Sequence, residues 1–141
     1  MYITYLQHTD PTLPHYSSDA WTFTRGAAAT IDRDFGTMGR FFMHDIIETH
    51  VLHHYFPKIP FYYAPTASAA IKPVMGRHYR ADTAGGTWGF LSALWTCARL
   101  CVWVEPSEGA KGEGQGVYFF RNNNKTVGPS PAKMAAPDSG S

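Results

Sequence analysis

Glu48-Thr-His50-Val-Leu-His53-His54 places three imidazoles at i, i+3 and i+4 within seven residues. On a helix of 3.6 residues per turn that spacing puts the three rings on one face. Neutral imidazole is the commonest protein ligand for borderline transition metals such as iron, zinc and copper. Three buried imidazoles without a metal would each need a separate hydrogen-bond partner. The stretch therefore reads as part of a metal site. Two zinc-hydrolase patterns are excluded by residue type. Val51 stands where His-Glu-x-x-His needs its glutamate, and His53 stands where His-x-x-Glu-His needs one. No general-base carboxylate lies inside the box.

Working outward, the apolar residues Phe41, Phe42, Ile46 and Ile47 precede the box, and Tyr55, Phe56 and Pro57 follow it. The pattern predicts one helix over 38–55, stopping before Pro57 and Pro60. His44 lies six positions before His50, off the face of the box, and reads as structural or as a support behind the ligands. Glu48 and Asp45 are the nearby carboxylates suited to accept an imidazole N–H and orient a ligand. Gly36 and Gly39 separate this helix from 17–34, where a helix is expected to begin near Asp19, weakened by Thr22, Thr24 and Gly26.

Residues 7–16 carry Pro11 and Pro14, which exclude regular helix and ladder strand and predict an ordered loop. The loop holds His8, Asp10 and His15, each of which reads first as a turn residue. His8 has the best claim to function, because it directly follows the apolar run 1–6. That run lacks a basic n-region and a cleavage site, so it is no signal peptide. It is also far shorter than the roughly 20 residues of a membrane helix. It looks like the last turns of a longer apolar helix, and a fragment boundary is expected there.

Downstream, 65–75 reads as a short helix with Pro65 in its first turn, Gly76 past its end, and Pro73 limiting or kinking it. Lys72, Arg77, His78 and Arg80 form a basic cluster. It is either a solvated face or a contact for lipid phosphates or an acidic partner. The stretch 88–104 is the most apolar. Leu91, Leu94, Trp95, Ala98, Cys101 and Val102 recur at helical spacing, with Ser92, Thr96 and Arg99 opposite. Its length and its arginine argue against a membrane span and for an amphipathic helix, packed on the core or lying in an interface. Cys97 and Cys101 read as reduced, small apolar packers in it. A Gly-rich turn is expected at 107–116, a strand at 117–120, and a disordered tail from 122 onward.

The 141 residues amount to one domain's worth of chain. Aromatics at 15% and charged residues at 16% leave a sparsely charged surface, part of which should rest against something apolar. A net charge of +1 excludes bulk nucleic-acid binding, which needs a basic field.

Several motifs occur in order: Ile3-Thr-Tyr-Leu-Gln-His-Thr-Asp-Pro-Thr-Leu-Pro-His-Tyr16, Arg25-Gly-Ala-Ala-Ala-Thr-Ile-Asp-Arg-Asp34, the histidine box, Ala70-Ile-Lys-Pro-Val-Met-Gly76, Val104-Glu-Pro106 and Gly116-Val-Tyr118. Over about residues 2–121 this series resembles the carboxy-terminal third of the membrane-bound acyl-lipid desaturases of the fungal delta-12 (oleate) type. The resemblance implies a mainly α fold with irregular loops, part of the cytosolic di-iron cap of such an enzyme, without its transmembrane helices. Residues 1–106 would belong to the desaturase domain, 107–121 to a Gly-rich turn and short strand, and 122–141 to the tail.

By the same resemblance the parent enzyme sits in the endoplasmic reticulum membrane, with this segment on the cytosolic side. It takes electrons from cytochrome b5 and uses O2 and two iron ions to leave a cis double bond in an acyl chain. The substrate would be an oleoyl-phospholipid or oleoyl-CoA, converted to the linoleoyl product. His50, His53 and His54 match the third histidine box and would be iron ligands. His8 falls where the family has a further histidine after its last membrane helix, and is the fourth candidate. The family's first two histidine boxes and its apolar spans are missing, so the 141 residues alone are expected to be inactive. Two other readings stand beside this one. A stand-alone protein could bind a single zinc through His8, His50, His53 and His54. A non-catalytic paralogue could bind membranes or desaturase partners through the basic cluster and the 88–104 helix.

Overall fold

A computed structural model describes residues 2–106 and 115–122. Most of the expected Gly-rich turn and nearly all of the expected tail lie outside the described residues. Helix α1 (Tyr2–His8) ends just before the loop that holds Pro11 and Pro14, so His8 is its last residue. The short strand β1 (His15–Tyr16) follows. This corrects the expectation of a loop without ladder pairing. Both prolines precede the pair, so His15 and Tyr16 keep their amide donors and bridge antiparallel to Tyr118 and Val117.

Helix α2 (Phe23–Ala28) begins later than expected, because Thr22 is the cap: its hydroxyl accepts from the Arg25 N–H at 3.3 Å. Strand β2 (Asp32–Arg33) pairs in parallel with β3 (Ala81–Asp82). The single helix expected over 38–55 is in fact two, α3 (Gly36–Met43) and α4 (His50–Tyr55). His44 and Asp45 both take left-handed backbone, with φ of 50° and 60°, and this ends α3. The break sends Ile47 into the core and turns its carbonyl to the Arg33 N–H at 3.1 Å. A continuous helix would have spent that carbonyl internally.

Helix α5 (Ala64–Met75) carries Pro65 in its first turn and runs through Pro73 to close at Gly76. Helix α6 (Gly86–Leu100) stops earlier than expected, and β4 (Trp103–Pro106) takes over as a strand. β4 pairs antiparallel with β5 (Val117–Arg121), giving a three-stranded sheet in the order β1-β5-β4. Helices carry most of the regular structure, as expected, with two small sheets added. Among the described residues no helix is long and apolar enough to cross a membrane.

The core joins α1, the 44–49 turn and α6 through Leu6, Ile47, Phe90 and Cys97, with Phe35, Ile46, Leu94 and Cys101 packed on it. Residues 90, 94, 97 and 101 therefore form the inward face of α6. The expected face is displaced, because Leu91, Trp95 and Val102 are exposed. Cys97 and Cys101 are free thiols, and both take part in this packing, as expected.

Candidate metal centre

Two helices converge end to start. His8 closes α1, while His50 opens α4 and His54 follows one turn later. The His50 Nε2 lies 3.2 Å from the His8 Nε2 and 3.2 Å from the His54 Nε2. One ligand atom from each ring falls within 4.8 Å of the others. The rings meet edge to face, with centroids 4.8–5.1 Å apart. His50 is buried, and His8 and His54 are half-buried.

All three rings are driven toward the neutral form. His50 is pushed down to about 3, first by burial and then by the neighbouring His54, His8 and His53. His54 is lowered by burial and then by His8 and His53. Burial also lowers His8, opposed by the Ala29 carbonyl, which accepts from the protonated ring. Neutral imidazoles have a free lone pair, which is the form that binds metal. The residues fit a metal on a second count. A single Nε2 proton on His50 can serve only one of the two facing nitrogens, whereas one cation satisfies all three. An all-nitrogen donor set suits iron, zinc or copper and is wrong for calcium or magnesium.

His53 does not join the trio. Its ring centroid lies 5.9 Å from that of His50 and 6.2 Å from that of His54. At about 100° per residue, positions 50 and 54 are about 40° apart, and 53 falls about 60° to the other side of 50. The exposed His53 instead lines a cavity of about 130 Å³ with Ile46, Leu52, Phe56 and Phe61. The expectation of three rings on one face thus resolves into two rings plus His8. His44 meets the ring of Phe61, away from the trio. His15 packs edge-on against Phe120 at 4.6 Å, with its Nε2 buried and unpaired.

The carboxylates expected behind the ligands are turned elsewhere. Both Glu48 oxygens are buried beside Gly39 and make no full hydrogen bond, and burial raises the carboxyl against weak contacts with the Glu48 and Phe35 backbone. Asp45 serves through its backbone carbonyl, which accepts the Thr49 N–H at 3.0 Å and hydroxyl at 2.7 Å. The acceptors beside the imidazoles are backbone carbonyls, Ala29 for His8 and Ile46 for His50. The His50 Nδ1 is buried and makes no full hydrogen bond.

Sequence reasoning passed over the segment that connects the two helices. Thr30, Asp32 and Arg33 are all buried. The Asp32 Oδ1 accepts the Val51 N–H at 2.8 Å, and its Oδ2 accepts the Tyr79 hydroxyl. Burial raises this carboxyl to about 6 against those bonds. The Arg33 guanidinium donates to the Leu6 carbonyl at 3.0 Å and pairs with Asp82 and Asp10, each at 2.8 Å. Asp10, a turn residue by sequence, is thereby also an ion-pair partner. An Asp-Arg pair in so sparsely charged a chain was the available signal.

A sequence model of the family described as fatty acid desaturase matches residues 1–86. The chain is 61% identical over 132 residues to an oleate hydroxylase of Claviceps purpurea, covering 94% of this chain and 28% of the relative. It is 51% identical to an oleoyl-12-hydroxylase of Ricinus communis, covering 85% of this chain and 29% of the relative. A delta(12)-oleate desaturase of Trichosanthes kirilowii is 50% identical, with 84% and 31% covered. The chain therefore spans about three-tenths of the length of these relatives. No solved structure matches.

Proposed function

Since the chain belongs to the fatty acid desaturase family, we propose that it supplies the carboxy-terminal histidine cluster of an O2-dependent enzyme that introduces the delta-12 double bond into an oleoyl chain. The observation that carries this reading is the convergence of three neutral Nε2 atoms from two separate helices. His8, His50 and His54 would hold one iron between them. His53, whose ring stands apart from the trio on the same turn of α4, would be left as a ligand for the second. The chemistry supplied by bound iron is activation of O2 for removal of two hydrogens from an unactivated acyl segment. The chain's own part is to present four imidazoles from a well-packed support, because a loosely held ligand set does not keep its geometry. The box-forming residues lacking here leave the 141 residues inactive alone.

The setting follows from the same reading: an acyl-lipid or acyl-CoA substrate, cytochrome b5 as electron donor, and the cytosolic side of the endoplasmic reticulum membrane. Names of relatives that specify an endoplasmic reticulum isozyme support that location. The exposed aromatic surface of α3, 61–63 and α6 suits burial against lipid or further protein. A second reading has an observation of its own. The 61% identical relative is named a hydroxylase, so insertion of a hydroxyl at the same region of the chain is the competing outcome.

One experiment separates them. The corresponding segment of the Trichosanthes desaturase is replaced by this chain, the chimera is expressed in yeast, and the fatty acids are analysed. Linoleate is expected. A hydroxylated product would support the second reading, and activity unchanged by His54→Ala at normal expression would sink the ligand assignment.

A further inference from the structure

Resting on the metal-centre reading above, we propose that Asp32 and Arg33 form a two-ended clamp that sets the separation of His8 from His50 and His54. The Arg33 end holds the close of α1. Its Nε donates to the Leu6 carbonyl at 3.0 Å, while the Thr30 hydroxyl and the Ile31 N–H reach the Gln7 carbonyl at 2.9 Å and 3.1 Å. These are last-turn carbonyls that a helix cannot satisfy internally. Gln7 immediately precedes His8.

The Asp32 end holds the start of α4. Thr49 occupies the cap position, but its hydroxyl is committed to the Asp45 carbonyl and makes no cap. Asp32, 19 residues away in the chain, supplies the missing acceptor to the Val51 N–H. Val51 immediately follows His50. One four-residue segment thus caps the end of the helix bearing His8 and the beginning of the helix bearing His50 and His54.

The clamp is itself held rigid. Asp32 and Arg33 pair in register with Ala81 and Asp82, and the Arg33 N–H bonds the Ile47 carbonyl at 3.1 Å. The Tyr79 hydroxyl fixes the second Asp32 oxygen, and Asp10 and Asp82 fix the guanidinium. Both side chains are almost fully excluded from solvent.

The test uses the 141-residue chain with two readouts. One is Co(II) titration followed in the visible spectrum. The other is the ring-to-ring NOE between His8 and His54 in the metal-free chain. Asp32→Asn keeps an acceptor oxygen and is expected to keep both readouts near the parent. Asp32→Ala is expected to lose the NOE and to weaken Co(II) binding by about 10- to 100-fold, the range for residues that orient ligands. Phe119→Leu, a core change in β5, controls for general destabilisation and should leave both readouts in place. Parental affinity and NOE in Asp32→Ala would overturn the clamp, as would equal losses in Phe119→Leu. If Asp32→Ala does not fold, Arg33→Lys keeps the charge but removes the Nε donor to the Leu6 carbonyl, and parental NOE and affinity there would overturn the clamp. Failure of the parent to take up Co(II) would count against the metal centre, while the NOE comparison would still decide the clamp.

Discussion

The molecule has two unlike sides. Around Thr30–Arg33 nearly every buried polar group has a partner, and even a fully buried guanidinium is bonded on all three nitrogens. On the outside of α3, 61–63 and α6, large apolar side chains stand open to solvent: Phe41 is 76% exposed, Trp88 81% and Trp95 67%. The polar interior is completed by the chain itself, because a buried charge without a partner costs far more than the pair returns. The aromatic exterior is left incomplete, because apolar surface costs only its area and can be covered by whatever lies next to it. Ligand placement therefore depends on the first side, and attachment to surroundings on the second.

The sharpest way to break this contrast is Arg33→Ala. It would strand the Asp10 carboxylate, the Leu6 carbonyl of α1 and half-exposed Asp82, and should lower unfolding free energy by about 3–5 kcal/mol in chemical denaturation. A loss no larger than that of a surface change would mean the polar segment is not the support described here.

Next comes Gly89→Ala, at the start of α6. An added Cβ would land on the Ala84 backbone carbonyl, which cannot step aside as a flexible side chain would. A loss of about 1–3 kcal/mol is expected, read as a shifted denaturation midpoint. It tests whether α6 is fixed on the core side even though its outer face is bare.

Thr22→Ala should cost about 1 kcal/mol by thermal unfolding, since it removes the side-chain acceptor that starts α2. That cap is exposed, so an effect as large as that of Arg33→Ala would erase the distinction between buried and surface polar contacts. The smallest effect belongs to the aromatic side. Phe41→Ser and Phe42→Ser should each move stability by no more than about 0.5 kcal/mol. They should also reduce self-association in light scattering. A large stability loss would show that these rings are packed in solution.

Much of this was legible in the residues and some was not. His8, His50 and His54 were all named as ligand candidates, and the structure brings them together. Pro65 and Gly76 bracket α5 as expected, and the strand expected at 117–120 is β5, one residue longer. His53 shares a helical face with His50 and His54 by spacing, but His8 approaches on the His54 side of His50 and leaves it out of the trio. The one long helix expected around the box is also broken, since α4 starts only at His50. The break before it depends on the Arg33 N–H claiming the Ile47 carbonyl and on Asp32 capping Val51, contacts 14 and 19 residues apart in the numbering. Periodicity within a window carries no trace of them.

The sequence by itself determined the chemistry available: an all-imidazole donor set, a sparsely charged apolar chain and a run of motifs specific enough to indicate the family. Local pattern sufficed there, because residue type and short spacing decide which atoms can bind a metal and which segments can coil. Only the tertiary structure decided which imidazoles meet, which carboxylate supports them and which face of α6 is buried. Those outcomes depend on long-range hydrogen bonds that must satisfy every buried polar group at once, and no short stretch of residues contains both partners.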